Sequence, residues 1–282
     1  MGVAAMKTIL VPVEQHSSLP SVLETALLVG RSVEGYIEGL AVGPDLRNII
    51  ALEVVFAPPM LDETAQREMV ETARQRFETF MHAHAVPEAR QEPNGLSFGW
   101  LGDTLKDDPF IGDYGRAFDI IIIGRPGSSS DGPRTASLEE ALFESGRPVL
   151  VAPPRPPIEI GRSIVIAWNG STETARAIAF AMPLLLRAER VTVLTVTGGT
   201  VPGPAGDQIA RSLRFNGVLA QAVHVEPEGR STGEAILVHA ERLGADLLVK
   251  GAYTQSRLRQ MIFGGATRYL LDHVTLPMLM AH

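Results

Sequence analysis

Cysteine is absent from the 282 residues. That excludes disulfides, thiolate metal sites and thiol nucleophiles together. Lysine is nearly as scarce: of 25 basic residues only Lys7, Lys106 and Lys250 are lysine. The rest are arginine, which suits forked recognition of carboxylate and phosphate, although genomic bias produces the same count. Positive charge is also short overall. The formal net charge of −7 offers no general basic field for nucleic acid or an anionic membrane surface. No apolar run is long enough to cross a bilayer, since the longest, residues 177–186, contains Pro183 and stops at Arg187. Residues 1–5 and the few apolar residues after Lys7 are too short for an export signal. The patterns Gly-x4-Gly-Lys-Ser/Thr and Gly-x-Gly-x-x-Gly are missing, and with them the signatures of ordinary P-loop hydrolysis and dinucleotide binding. These absences lead one to expect a soluble, cytoplasmic protein with neither nucleic acid nor membrane as partner.

What is present is a folded composition, 45% apolar and 20% charged. The chain also repeats itself. Lys7-Thr-Ile-Leu-Val-Pro-Val13 is matched by Arg162-Ser-Ile-Val-Ile-Ala-Trp168. Asp119-Ile-Ile-Ile-Ile-Gly124 is matched by Asp246-Leu-Leu-Val-Lys-Gly251, and Gly146-Arg-Pro-Val-Leu-Val-Ala152 by Thr275-Leu-Pro-Met-Leu-Met-Ala281. Three matches in one order point to two copies of a unit. Between them lies Pro153-Pro-Arg-Pro-Pro157, a stiff spacer unsuited to a sheet interior. The expected organisation is a first domain over 1–152, a linker over 153–161 and a second domain over 162–282.

Continuous rather than alternating apolar runs indicate parallel strands covered on both faces. Strands are expected near 7–13, 36–42, 96–101, 119–123 and 149–152, then near 163–168, 191–196, 218–225, 246–250 and 278–281. An amphipathic helix is expected over 62–85. Another starts behind the candidate cap Ser171, with Ala175, Ile178, Ala179, Met182 and Leu186 as its apolar stripe and Pro183 as a kink or stop. The fold expected is α/β: two tandem doubly wound, mostly parallel five-stranded sheets of Rossmann-like type. The halves differ at residues 43–60, where the first carries an apolar insertion, Ile49-Ile-Ala-Leu-Glu-Val-Val-Phe56, against the short Gly/Pro-rich 198–206 of the second. A lid, a subunit contact and a loop packed on its own domain all fit that insertion.

In such sheets ligands sit beyond the carboxyl ends of the strands. After the fourth strand of the second half, Gly264 and Gly265 open a helix at Thr267, and Arg257 and Arg259 precede it. Bare backbone N–H groups at a helix start make a phosphate cradle, while a glycine-rich helix cap explains the same residues. Lys250, ending an apolar strand, either points at a bound phosphate or pairs with a carboxylate.

The strand-one runs ending in Val-Pro-Val-Glu14 and Ala-Trp-Asn169-Gly-Ser resemble universal stress proteins. So do Asp-Leu-Leu-Val-Lys-Gly-Ala-Tyr253, Ser256-Arg257-Leu, Phe263-Gly-Gly-Ala-Thr267 and the final Leu-Pro-Met-Leu-Met. The resemblance covers the whole chain as two fused copies and is closest over 162–282. It implies the same α/β fold, of the HUP type, and an adenine nucleotide, ATP with magnesium, on a loop Gly-x2-Gly-x9-Gly-Ser/Thr that some members carry. Here that loop is incomplete. In the second half Gly251 and Gly264 fit, Thr254 replaces the second glycine, and Gly265 stands where Ser or Thr is expected, with Thr267 two residues late. In the first half Gly124 and Gly127 fit, but Ser137-Leu138 stands where Gly-Ser/Thr belongs. Glu14 replaces the usual Asp after Val13, and an extra acid repels phosphate, whereas Asn169 bonds a ribose or base without charge. The resemblance therefore places the nucleotide on Ala167, Asn169, Gly251, Thr254, Ser256, Arg257, Gly264, Gly265 and Thr267. Val13, Glu14, Gly124 and Gly127 form a weaker first-half counterpart. It also implies pairing through last strands, here Val149–Val151 with Met278–Met280, as an intrachain pseudo-dimer and in turn as a homodimer of such chains. A non-binding, partner-docking stress protein is the alternative.

Gly229-Arg-Ser231-Thr-Gly233 satisfies the Gly-x-Ser-x-Gly nucleophile pattern, with Asp246 or Asp272 and His273 or His282 after it. Glu226-Pro-Glu-Gly separates it from the expected strand, so a helix cap at Ser231 or Thr232 is the better account. His82 and His84, two apart on a helix, point in different directions and make no metal pair.

Overall fold

The computed structural model describes residues 6–44, 63–89, 95–127, 132–252 and 265–282. The first half contains β1 (Thr8–Val13), α1 (Leu19–Val33), β2 (Tyr36–Ala41), α2 (Glu63–Ala83), β3 (Ser97–Trp100), α3 (Asp108–Gly115), β4 (Ile120–Gly124), α4 (Thr135–Glu144) and β5 (Val149–Ala152). The second contains β6 (Ser163–Ala167), α5 (Thr172–Leu185), β7 (Arg190–Val196), α6 (Gly206–Phe215), β8 (Ala220–Val225), α7 (Thr232–Arg242), β9 (Leu247–Gly251), α8 (Gly265–His273) and β10 (Met278–Ala281). All ten expected strands form, with bounds shifted by at most two residues. Most of insertion 43–60 lies outside the described residues.

The two sets of five strands join into one ten-stranded sheet, in the order β3-β2-β1-β4-β5-β10-β9-β6-β7-β8. Every neighbouring pair is parallel except β5–β10, where Leu150 faces Leu279 and the strands run antiparallel. The apolar runs explain the double coverage. Ile120–Gly124 is buried at every position, because alternate residues enter a core on each side of the sheet. Each of the two cores spans both halves: one holds Ile9, Phe77, Ile164 and Leu184, the other Leu10, Leu138, Val165 and Leu270. Segment 153–161 leads from β5 to β6 with Ile158 97% exposed, while Ser21 Oγ ties Pro153 back by donating to its carbonyl at 2.6 Å.

Ser171 caps α5 by accepting from Thr174 N at 3.2 Å, and Pro183 stands two residues before the helix ends. The expected apolar stripe is displaced, however. Ala175 and Ala179 are exposed, and the buried face is Thr174, Ala177, Ala181, Leu184 and Leu185. In a helix so rich in alanine the apolar pattern does not single out one face. The polar Thr174 goes inside because it has partners there.

Candidate functional site

β6 and β9 are neighbours, and α5 and α8 start beyond their carboxyl ends. Between β6 and α5 the chain turns at Gly170, whose φ of +84° is the left-handed conformation glycine tolerates. Asn169 Oδ1 accepts from Ser171 N at 3.2 Å and from Thr174 Oγ1 at 2.7 Å. Thr174 Oγ1 in turn accepts from Gly251 N at 3.3 Å. A Cβ on Gly251 would stand 2.3 Å from Thr174 N and 2.6 Å from Glu173 C. Gly251 therefore lets the first turn of α5 lie directly on the end of β9, and its N–H is already engaged there.

Lys250, 8% exposed, donates from Nζ to the Gly251 carbonyl and to Thr267 Oγ1, both at 2.8 Å. Neither partner is a carboxylate. Burial pulls the amine down to about 8, against a smaller opposing pull from Glu173. The Glu173 carboxyl is itself held below its ordinary range. Burial raises it, but its own backbone N–H, the Thr172 and Ser171 hydroxyls and the charge of His282 together outweigh that. Thr267 is buried in the first turn of α8, and Gly265 starts that helix with no atom of the described residues within 4 Å of where a Cβ would stand. A lysine with neutral partners thus meets the positive end of a helix dipole, which makes the corner electropositive. Thr254, Ser256, Arg257 and Gly264 lie outside the described residues.

Ala167 ends β6 and is 4% exposed. Next to it the Gly/Pro-rich loop folds down: Val201 N donates to the Asn169 carbonyl and Trp168 Nε1 to the Pro204 carbonyl, both at 2.8 Å. A Cβ on Gly203 would stand 2.3 Å from the Gly170 carbonyl oxygen. Both Asn169 carbonyls are consequently taken, and its Nδ2 donor has no hydrogen-bond partner among the described residues.

The first half fills the matching corner with its own side chains. Glu14, 3% exposed, accepts from Arg134 N at 3.0 Å through Oε2, and its Oε1 stands 3.5 Å from the Arg134 guanidinium. Arg134 Nη2 donates to Asp108 Oδ1 at 2.7 Å and to Ser137 Oγ at 3.0 Å, and Ser137 Oγ donates to the same Asp108 oxygen at 2.6 Å. Burial pushes the Glu14 carboxyl up, against the Arg134 charge and the Ser137 hydroxyl. His16 is pulled down to about 4 by burial and then by Arg134. Pro133 covers Gly124, for a Cβ there would meet Pro133 Cγ at 2.5 Å. Gly127 is exposed, and Val13 is buried with its carbonyl accepting from Val42 N. Arg134 and Asp108, far from Glu14 in sequence, carried no signal that would have joined them to it. Thr174 was hidden by the misplaced stripe.

Ser231 is the N-cap of α7, accepting from Glu234 N at 3.2 Å with ordinary extended backbone, φ −66° and ψ 155°. A nucleophile elbow demands a strained strand-to-helix turn, so the esterase pattern lacks its context. His82 reaches Glu88 at 3.4 Å and His84 Nδ1 lies 2.8 Å from the Phe80 carbonyl, so each histidine has a different partner. Among the described residues no group of three or more His, Asp or Glu side chains forms a metal site, and no helix is long and apolar enough to cross a membrane. A cavity of about 540 Å³ lies between α1 and α2, lined by Leu19, Leu23, Phe80 and Ala83 among others.

The sequence model of the Universal stress protein family matches residues 161–282. Universal stress protein Slr1230 of Synechocystis sp. is 28% identical over 187 residues, which is 64% of this chain and 62% of that protein, so the match spans under two thirds of the relative. A universal stress protein from Archaeoglobus fulgidus superposes with a TM-score of 0.70 at 16% identity, covering 98% of both chains. A putative universal stress protein from Pseudomonas aeruginosa UCBPP-PA14 gives 0.53 at 15% identity, over 98% of this chain and 93% of that one. The family's sequence pattern lies in the second half; for the first half the likeness is one of fold.

Proposed function

We propose that this is a stress-response protein whose second half binds an adenine nucleotide, ATP, at the ends of β6 and β9, and whose first half is a structural copy. One observation carries the reading: buried Lys250 spends its charge on two neutral oxygens beside the first turn of α8. An anion at that corner would satisfy the lysine and the helix dipole together. Thr267 accepts from Lys250, which leaves its own hydroxyl hydrogen for a phosphate oxygen. Thr254, Ser256, Arg257, Gly264 and Gly265 complete the phosphate contacts. Asn169 offers the ribose or base its Nδ2 donor, next to Ala167. Gly251 acts indirectly, by seating α5. Magnesium would arrive on the phosphates, since the described residues supply no carboxylate cluster for it. The protein works in the cytoplasm as a binding module rather than a turnover enzyme.

Calorimetry with ATP, ADP and AMP tests this. Saturable heat is expected, weakened roughly tenfold in Thr267→Val by loss of one charge-assisted hydrogen bond. Gly127→Ala, in the first half, should bind as the wild type does. No heat with any of the three nucleotides would sink the proposal. It would favour the second reading, a partner-docking stress protein, which the occupied Asn169 carbonyls support.

A further inference from the structure

The two outer edges of the sheet are treated differently. Along β3, Ser97 N donates to the Gly35 carbonyl and Leu101 N to the Gly39 carbonyl, so Phe98 turns its backbone groups outward. Both are paired: Phe98 N donates to the Pro87 carbonyl at 3.0 Å, and Ala89 N donates to the Phe98 carbonyl at 2.7 Å. The segment after α2 thus closes that edge.

β8 ends the other side. Val191 N donates to the Leu219 carbonyl and Thr197 N to the Val225 carbonyl, which fixes the odd-numbered residues toward β7. Ala222 and His224 therefore present N–H and C=O outward, and no described segment pairs with them. Beside this open edge Phe215 is 79% and Leu219 69% exposed, the most exposed large apolar side chains after Ile158 among the described residues. Charge is sorted along the same edge. Asp207 starts α6 beside His224, with Nε2 to Oδ2 at 2.8 Å, and Glu226 follows β8. Arg211 and Arg214 lie at the opposite end of α6, next to Phe215 and Leu219.

We infer that the β8 edge is a docking surface for a second copy of this chain, paired antiparallel about a two-fold axis at Val223. In that register Ala222 of each copy faces His224 of the other, which satisfies the open backbone groups in two hydrogen-bonded pairs. The two-fold sets the basic end of one edge, Arg211 and Arg214, against the acidic end of the other, Asp207 and Glu226. It also covers Phe215 and Leu219. An unrelated extended peptide would satisfy the backbone, but it brings no reason for the sorted charges; a self-complementary patch is what a two-fold interface requires. The molecule already contains the same kind of join at β5–β10.

Sedimentation velocity of the full chain over a concentration series tests this, with a reversible dimer expected. Proline is tolerated on an edge strand where its missing N–H faces outward. His224→Pro should therefore keep the circular dichroism and melting of the wild type while weakening the dimer at least about tenfold. Arg211→Glu should weaken it as well, and adding Asp207→Arg in the same chain should restore it. A chain that stays monomeric, a dimer indifferent to proline at 224, or a charge swap that fails to rescue would each overturn the inference.

Discussion

The corner beyond β1 and β4 and the corner beyond β6 and β9 occupy corresponding places in the two halves, but they settle their charges differently. In the first, the Arg134 guanidinium is met by Asp108, with Glu14 close behind, and Pro133 lies over Gly124. In the second, Lys250 meets a carbonyl and a hydroxyl, and among the described residues nothing lies within 4 Å of where a Cβ on Gly265 would stand. One corner supplies its own anions, whereas the other has none within hydrogen-bonding distance of its cation among the described residues. In open parallel sheets ligands bind beyond the strand ends, and in the first half the protein's own side chains occupy that place.

Glycine offers the sharpest way to break this contrast. At 251 an added side chain runs into backbone of α5, whereas at 124 it meets the edge of a proline ring. Gly251→Val should cost about 4 kcal/mol and Gly124→Val roughly half of that, as urea unfolding would show. Equal losses would mean that α5 is seated no more rigidly than the Pro133 turn.

Lysine 250 gives the next largest effect. Unfolded, its amine titrates near 10.5, and folded near about 8. Between those values the unfolded chain holds the extra proton, so stability should rise with pH across the window, and below it the full penalty remains. Lys250→Met should remove that rise and add up to roughly 3 kcal/mol at neutral pH, while weakening the proposed nucleotide binding. Unfolding curves at pH 7, 9 and 10 measure it; a flat wild-type profile would show that the lysine is not penalised.

Glutamate 14 gives the smallest effect and sharpens the comparison from the other side. Its folded carboxyl is raised by burial, so the ionised form costs stability above that folded value, and the cost disappears as pH falls through it. Glu14→Gln should stabilise the chain by about 1 kcal/mol at pH 7 and by less at acid pH. A loss of stability instead would mean that the attraction of Arg134 outweighs the cost of burying the carboxylate.

The strand positions and the Ser171 cap are written in short local patterns, and each is legible. Apolar runs and caps depend on neighbours within a few residues. What escaped reading depends on distant parts of the chain. Arg134 answers Glu14 from 120 residues away, and Gly251 lies against Thr174 only because α5 crosses the end of β9. The loop motif marked Gly251 as a phosphate contact, yet its packing role needed the helix in place. Lys250 left two partners open, phosphate or carboxylate, and the structure adds a third arrangement, a carbonyl with a threonine hydroxyl.

The antiparallel join of β5 to β10 also bears on how the molecule comes apart. Both cores run across it without a break, so neither half has a private interior whose loss would leave the other intact. Heat or denaturant should meet a single cooperative unit of 282 residues, not two half-sized ones melting in turn.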